Sequence, residues 1–285
     1  MTKNFSDRIG FMQGRLSPLV DGKIQAFPWD HWQSEFALAK DIGIGLMEWT
    51  LDQFQLESNP LMTESGQVEI KKLIKNYNVS IPSLTGDCFM QAPFFKSKGR
   101  VKEGLLDDLA KIITACGNLN IEYIVFPIVD DGRIENNLQE KDLLSGLNSM
   151  INLLRKNNVK ICFESDFPPV ELSRLITKFD PQYFGINYDI GNSASLGFDP
   201  QDEIRQYARY IMNVHIKDRL LGGTTVPLGK GNSDFPLVMK ELLKAGYSGN
   251  YILQTARAED NDHQGVLTKY HNMTVNWLKS KSAGK

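Results

Sequence analysis

The sequence predicts an α/β protein built as a closed (β/α)8 TIM barrel, and three observations predict it. Short apolar runs alternate with longer amphipathic stretches at a spacing of roughly 30 to 40 residues, as βα units do. Eight such units can be counted in the 285 residues, and barrels of this kind take about 250. Gly, Pro and Asp collect just after the apolar runs, where the loops of a barrel's active face belong. The competing architecture, a doubly wound open sheet, would carry a glycine-rich phosphate loop after an early strand. Neither GxGxxG nor GxxxxGK followed by Ser or Thr occurs, so the barrel is preferred.

The strand candidates are 8–13, 45–49, 79–84, 123–127, 160–164, 183–188, 211–216 and 251–254. The last four are rich in Val, Ile, Phe and Tyr, as strands buried on both faces are. Between the strands the period changes to that of helices. Leu105, Leu106, Leu109, Ile112 and Ile113 share one face of a helix expected over 101–115, and Leu143, Leu144, Leu147, Ile151 and Leu154 do the same over 141–156. Loops are expected at 14–22, 85–93, 130–132, 166–169, 191–200 and 222–234. No linker, low-complexity segment or composition break divides the chain, so 1–285 is read as one barrel domain.

Composition is that of a globular protein, 41% hydrophobic and 23% charged. A formal net charge of -2 offers no general attraction for nucleic acid, so a small-molecule substrate is expected. Cys88, Cys116 and Cys162 form no CxxC pair and no disulfide framework. Cys162 reads as a buried small hydrophobe. The N-terminus lacks a signal-peptide core, and no apolar run reaches the roughly 18 residues of a membrane span. A cytoplasmic location away from membranes is expected.

Four of the apolar runs deliver a metal-capable side chain near their C-terminal edge: Glu164, Asp189, His215 and Gln254. Parallel strands place functional groups there. Two carboxylates, an imidazole and an amide oxygen suit one divalent ion such as Mn, Co, Mg or Zn. Gln254 can ligate but cannot act as a base at neutral pH. Side chains two apart share a strand face, so Lys217 accompanies His215, Asn187 accompanies Asp189, and Cys162 and Asp166 accompany Glu164. Lys217 could polarise a substrate oxygen beside the metal, or simply leave the barrel mouth toward water.

Glu48 ends a strand in LMEW and is a candidate acid-base or substrate group, since carboxylates are rarely buried unpaired. Arg15 could clamp a carboxylate or phosphate or make a surface ion pair. Gln13 and Trp29 are pocket-lining candidates, with Trp29 equally readable as a loop anchor. Asp87 and Cys88 follow the third strand, but nothing local raises them further. Lys230 and Arg257 are anion-binding candidates, and Asp234 is read as the N-cap of a helix starting near Phe235. His31, His263 and His271 are read as surface or packing residues.

The order Glu164, Asp189, His215, Gln254 resembles the xylose isomerase-like TIM barrel superfamily of sugar phosphate isomerases and epimerases. GFMQGRLSP, LMEWTLD, YDIGNS, VHIKDR and LGKGNSDF extend that resemblance over nearly the whole chain. Keto-sugar epimerases of the group hold their metal with Glu, Asp, His and Glu, and the two glutamates move a proton on opposite faces of the substrate. The resemblance carries the first three ligands onto Glu164, Asp189 and His215. It departs at Gln254 and at Asn192, which stands where those epimerases commonly place a substrate-binding histidine.

The resemblance therefore implies a divalent-metal-dependent isomerase or epimerase of a sugar or sugar phosphate, with Glu164 as the base. The alternatives are a metal-dependent dehydratase of a keto-polyol and a non-catalytic sugar-binding barrel. An abasic-site endonuclease of the same superfamily is disfavoured, because only four histidines occur. The expected partner is a small carbohydrate, not nucleic acid or a membrane. Family members are often homo-oligomers, but no exposed apolar stripe assigns an interface here.

Overall fold

The computed structural model describes residues 4–282. Among them, eight parallel strands close into a barrel: β1 (Ile9–Met12), β2 (Leu46–Leu51), β3 (Ser80–Gly86), β4 (Tyr123–Ile128), β5 (Lys160–Ser165), β6 (Phe184–Asp189), β7 (Ile211–Ile216) and β8 (Asn250–Leu253). Each strand pairs with the next in sequence, and β8 returns to β1. All eight expected strands are present, with ends that move by at most two residues.

The helices are α1 (Ser34–Asp41), α2 (Glu64–Tyr77), α3 (Asp87–Gln91), α4 (Gly99–Leu119), α5 (Asn137–Ser149), α6 (Ile151–Asn157), α7 (Pro169–Ile176), α8 (Ile190–Leu196), α9 (Pro200–Tyr207), α10 (Phe235–Lys244) and α11 (His263–Ser282). Of these, the short α3 and α8 follow β3 and β6 directly and border the cavity at the strand ends. The helix expected over 141–156 is divided at Met150, between α5 and α6. Just before the break the Ser149 hydroxyl donates to the Gly146 carbonyl at 2.6 Å, a local bond that competes with the helix ladder. Three helices end on an asparagine in the left-handed conformation, Asn78, Asn120 and Asn158. Asparagine tolerates that geometry, and each of these residues turns the chain into the next strand. Asp234 caps α10 by accepting from the Leu237 amide, as expected.

The apolar core lies between strands and helices. Phe126, Phe163 and Phe184 on successive strands meet with ring centroids 6.1 and 6.2 Å apart. Phe163 alternates with Glu164, so the aromatic layer faces the helices and the carboxylate faces the lumen. The upper lumen is polar: Glu48, Ser83, Thr85, Asn187, Asn213 and His215 are all buried there and linked by hydrogen bonds. Branched apolar residues fill this space in most barrels. Their replacement by a connected polar set marks the functional end.

Among the described residues no helix is long and apolar enough to cross a membrane.

Candidate metal centre

Glu164 near the end of β5, Asp189 closing β6 and His215 near the end of β7 converge at one end of the lumen. The β6 and β7 register sets Asp189 directly beside His215. One donor atom from each of the three buried residues lies within 4.8 Å of the others. His215 Nδ1 is 3.1 Å from Glu164 Oε2 and 3.9 Å from Asp189 Oδ2. Donors about 2.1 Å from a shared ion stand roughly 3 Å apart when adjacent and at most about 4.2 Å apart when opposite, so the 3.1 and 3.9 Å separations are compatible with a shared divalent cation.

The surrounding groups hold this geometry. Glu48 Oε1 lies 2.7 Å from His215 Nε2, the place an outer carboxylate takes at a metal-bound histidine, and Nδ1 is the nitrogen that faces Glu164 and Asp189. Glu48 also accepts from Ser83, Thr85 and Asn213 at 2.6, 2.6 and 3.0 Å. Burial alone would raise its carboxyl, but His215 and these hydroxyls outweigh that and hold it below the ordinary carboxylate range. Glu164 accepts from Asn187 and Asn192 at 2.9 and 2.8 Å. Burial opposes its charge too, and His215 and Lys217 reverse the balance and lower it. His215 between two carboxylates is raised to about 10 despite burial, which by itself would lower it.

Asp189 Oδ1 caps α8 through the Asn192 amide at 2.8 Å, and its Oδ2 accepts from Lys217 Nζ at 3.1 Å. Gln254 Oε1 accepts from the same ammonium at 3.1 Å, and Gln254 Nε2 donates to Gln25 Oε1 at 2.8 Å. The expected fourth ligand is thus already bonded to a cation. Gly191 makes room for it: a Cβ there would meet Lys217 Cγ at 2.7 Å.

A cavity of about 520 Å³ opens over these groups, and Glu164, Lys217, Gln254 and Asn192 are on its wall. Other expected site residues lie elsewhere. Glu48 is fully buried beneath the cavity and acts on His215. Gln13 is buried, accepting from the Thr50 amide at 3.2 Å. Arg15 is buried and donates to the carbonyls of Thr255 and Ile24, while Arg257 donates to the Ser17 carbonyl. Both guanidiniums tie the loop after β1 to the end of β8. Trp29 packs edge-on against Phe27, 4.9 Å between centroids.

Lys230 is exposed and absent from the cavity wall. The physical reason is Asp218, whose buried carboxylate accepts from the amides of Gly229 and Gly231 at 2.8 Å and Ser233 at 3.1 Å. The loop's amides wrap an internal anion, which leaves Lys230 pointing away.

The cavity wall also holds groups that sequence reasoning passed over. Gln25 donates to Asp87 Oδ2 at 2.6 Å, and Arg219 donates to Asn192 Oδ1 at 2.9 Å and to the Gly223 carbonyl. Gln25 comes from a loop without periodicity, whereas Arg219 sits in a short strand, Asp218–Arg219, two residues beyond Lys217. Asn213 carried a signal, since it stands two residues before His215 and so shares its facing.

A family model described as xylose isomerase-like TIM barrel matches residues 36–276, and the chain belongs to that family. An inosose dehydratase of Clostridium tetani is 27% identical over 181 residues, 55% of this chain and 59% of that protein. The match therefore spans less than two thirds of that relative. A putative L-ribulose-5-phosphate 3-epimerase of Haemophilus influenzae is 22% identical over 240 residues, 78% and 83% of the two chains. A xylose isomerase-like TIM barrel protein from Mycobacterium smegmatis, solved in complex with magnesium, superposes with a TM-score of 0.72 at 14% identity and covers 98% of this chain and 99% of its own.

Proposed function

We propose that this member of the xylose isomerase-like family is a divalent-metal-dependent isomerase or epimerase that moves a proton on the carbon beside the carbonyl of an unphosphorylated keto-sugar or keto-polyol. The observation that carries the reading is the buried Glu164, Asp189 and His215 cluster at the floor of a polar cavity. These three residues would hold Mn, Co, Mg or Zn, and Gln254 would join them by releasing Lys217. The ion supplies Lewis acidity that makes the hydrogen between a carbonyl and a hydroxyl acidic. Glu164 takes that proton, Asn187 and Asn192 orient its carboxylate, and Lys217 balances the negative charge that develops on oxygen.

An unphosphorylated substrate is favoured by the charges on the cavity wall. The wall carries four carboxylates, Asp87, Asp130, Glu164 and Asp166, and two cations, Lys217 and Arg219, and both cations already have hydrogen-bond partners. Asp218 fills the amide cradle that a phosphate would need. A second reading, dehydration of a ketocyclitol, is favoured by Gln254, because losing one carboxylate base weakens a two-base epimerisation. The similarity to an inosose dehydratase points the same way.

The test is solvent-deuterium exchange into inosose and L-ribulose with manganese-loaded protein. Glu164→Gln should lower exchange at least ~100-fold, in line with general base catalysis. Exchange at an unchanged rate would sink the role of Glu164. Inorganic phosphate at millimolar concentration should leave the wild-type rate unaltered; strong competitive inhibition would contradict the unphosphorylated substrate.

A further inference from the structure

Gln254 leaves the site one proton carrier short. The remaining carboxyls near Glu164 differ in how free they are. Asp166 is paired with Arg133 at 3.3 Å, Asp189 is held by the Asn192 amide and Lys217, and Glu48 lies below the cavity with four partners. Asp87, at the start of α3 just beyond β3, is different. It is buried in the cavity wall, one oxygen is fixed by Gln25 Nε2 at 2.6 Å, and the other has no hydrogen bond among the described residues. Gln25 itself accepts from Gln254 at 2.8 Å, so one glutamine links the carboxyl to the position that lacks one.

We propose that Asp87 is the second proton-transfer group of the site, supplying from the β3 side the proton that Gln254 cannot carry. This rests on the proton-abstraction reading above. Glu164 takes the hydrogen as a proton, the C–H electron pair becomes the carbon–carbon double bond of the enediolate, and the carbonyl π pair moves to oxygen. In the second step the pair returns. It either forms a new C–H bond with the Asp87 proton or expels a β-hydroxyl that leaves with that proton as water. Asp87 ends as a carboxylate, and solvent restores both groups.

The surroundings agree with a carboxyl that is protonated part of the time near neutrality. Burial, Asp52 and Glu164 raise it, against Gln25 and Lys217, to about 7.

The experiment compares solvent-deuterium exchange with net turnover of inosose and L-ribulose in manganese-loaded wild type and Asp87→Asn. The variant should keep exchange within about threefold while turnover falls ~100-fold or more. Gln25→Leu, which leaves the carboxyl in place and removes its anchor, should shift the ratio of exchange to turnover in the same direction by a smaller factor. This second variant keeps the proposal falsifiable if Asp87→Asn does not fold. A ratio unchanged in the variants that fold, or exchange and turnover lost in equal proportion, overturns the assignment. A wild type that fails to exchange contradicts the proton-abstraction reading itself, whereas an exchanging wild type with a fully active Asp87→Asn overturns only this inference.

Discussion

His215 carries the chemistry of the centre at the scale of a single residue. Its imidazole is gripped from below by Glu48 and faces Glu164 and Asp189 from above. Because the folded protein raises its pKa to about 10, above the ~6.5 of an unfolded chain, chelator-treated protein at pH 7 holds a proton that metal must displace. Metal uptake should therefore release a proton, and affinity should rise about tenfold per pH unit below pH 10. Calorimetry in buffers of different ionisation enthalpy checks this, and uptake without proton release would contradict it. Glu48→Gln should weaken metal binding by ~10- to 100-fold, the usual cost of losing an outer carboxylate on a ligand histidine. Metal titration of the folded variant measures it, and unchanged affinity would deny Glu48 that role.

At the scale of elements, the strand ends and the loops differ in how much the sequence reveals. Glu164, Asp189 and His215 were legible because strand periodicity and the rule that parallel strands work at their C-terminal ends both point to them. Glu48 was legible as a candidate but not as a residue buried beneath the cavity against His215, since depth along a strand depends on barrel register. Gln25 owes its place to a loop path that only tertiary contacts decide, while Asp87 opens α3 directly after β3 and Arg219 follows Lys217 in a short paired strand. Lys230 lies off the cavity wall for a related reason: the amides around it fold onto Asp218. Asp218→Ala removes three charge-assisted bonds from a buried site and should destabilise the protein by about 2 to 4 kcal/mol. Thermal or denaturant unfolding reads the loss, and a midpoint equal to that of the wild type would refute the account of this loop.

For the whole molecule, the eight strands and their order follow from repeated βα units, while the division between α5 and α6 at Met150 is not visible in the apolar periodicity. Long-range electrostatics also join helices across the outer layer. Glu140 on α5 is held by Arg174 on α7 at 2.7 Å and by Lys178, and Arg174 leads in lowering its pKa to about 2. A carboxylate lowered on folding stabilises above its unfolded pKa of about 4.3 and loses that contribution as pH falls toward 2. Glu140→Gln should therefore melt below the wild type at pH 7 and converge with it near pH 2. A gap that persists in acid would assign Glu140 to packing instead. The barrel as a whole brings carboxylates and an ammonium to one cavity, with the imidazole of His215 buried behind Glu164. Solvent-deuterium exchange into a keto-sugar or ketocyclitol, followed through chelation and manganese restoration, reads metal-dependent proton abstraction in that cavity. Exchange should disappear with chelation and return with the metal; exchange that continues undiminished after the metal is removed would rule out a metal-dependent proton abstraction.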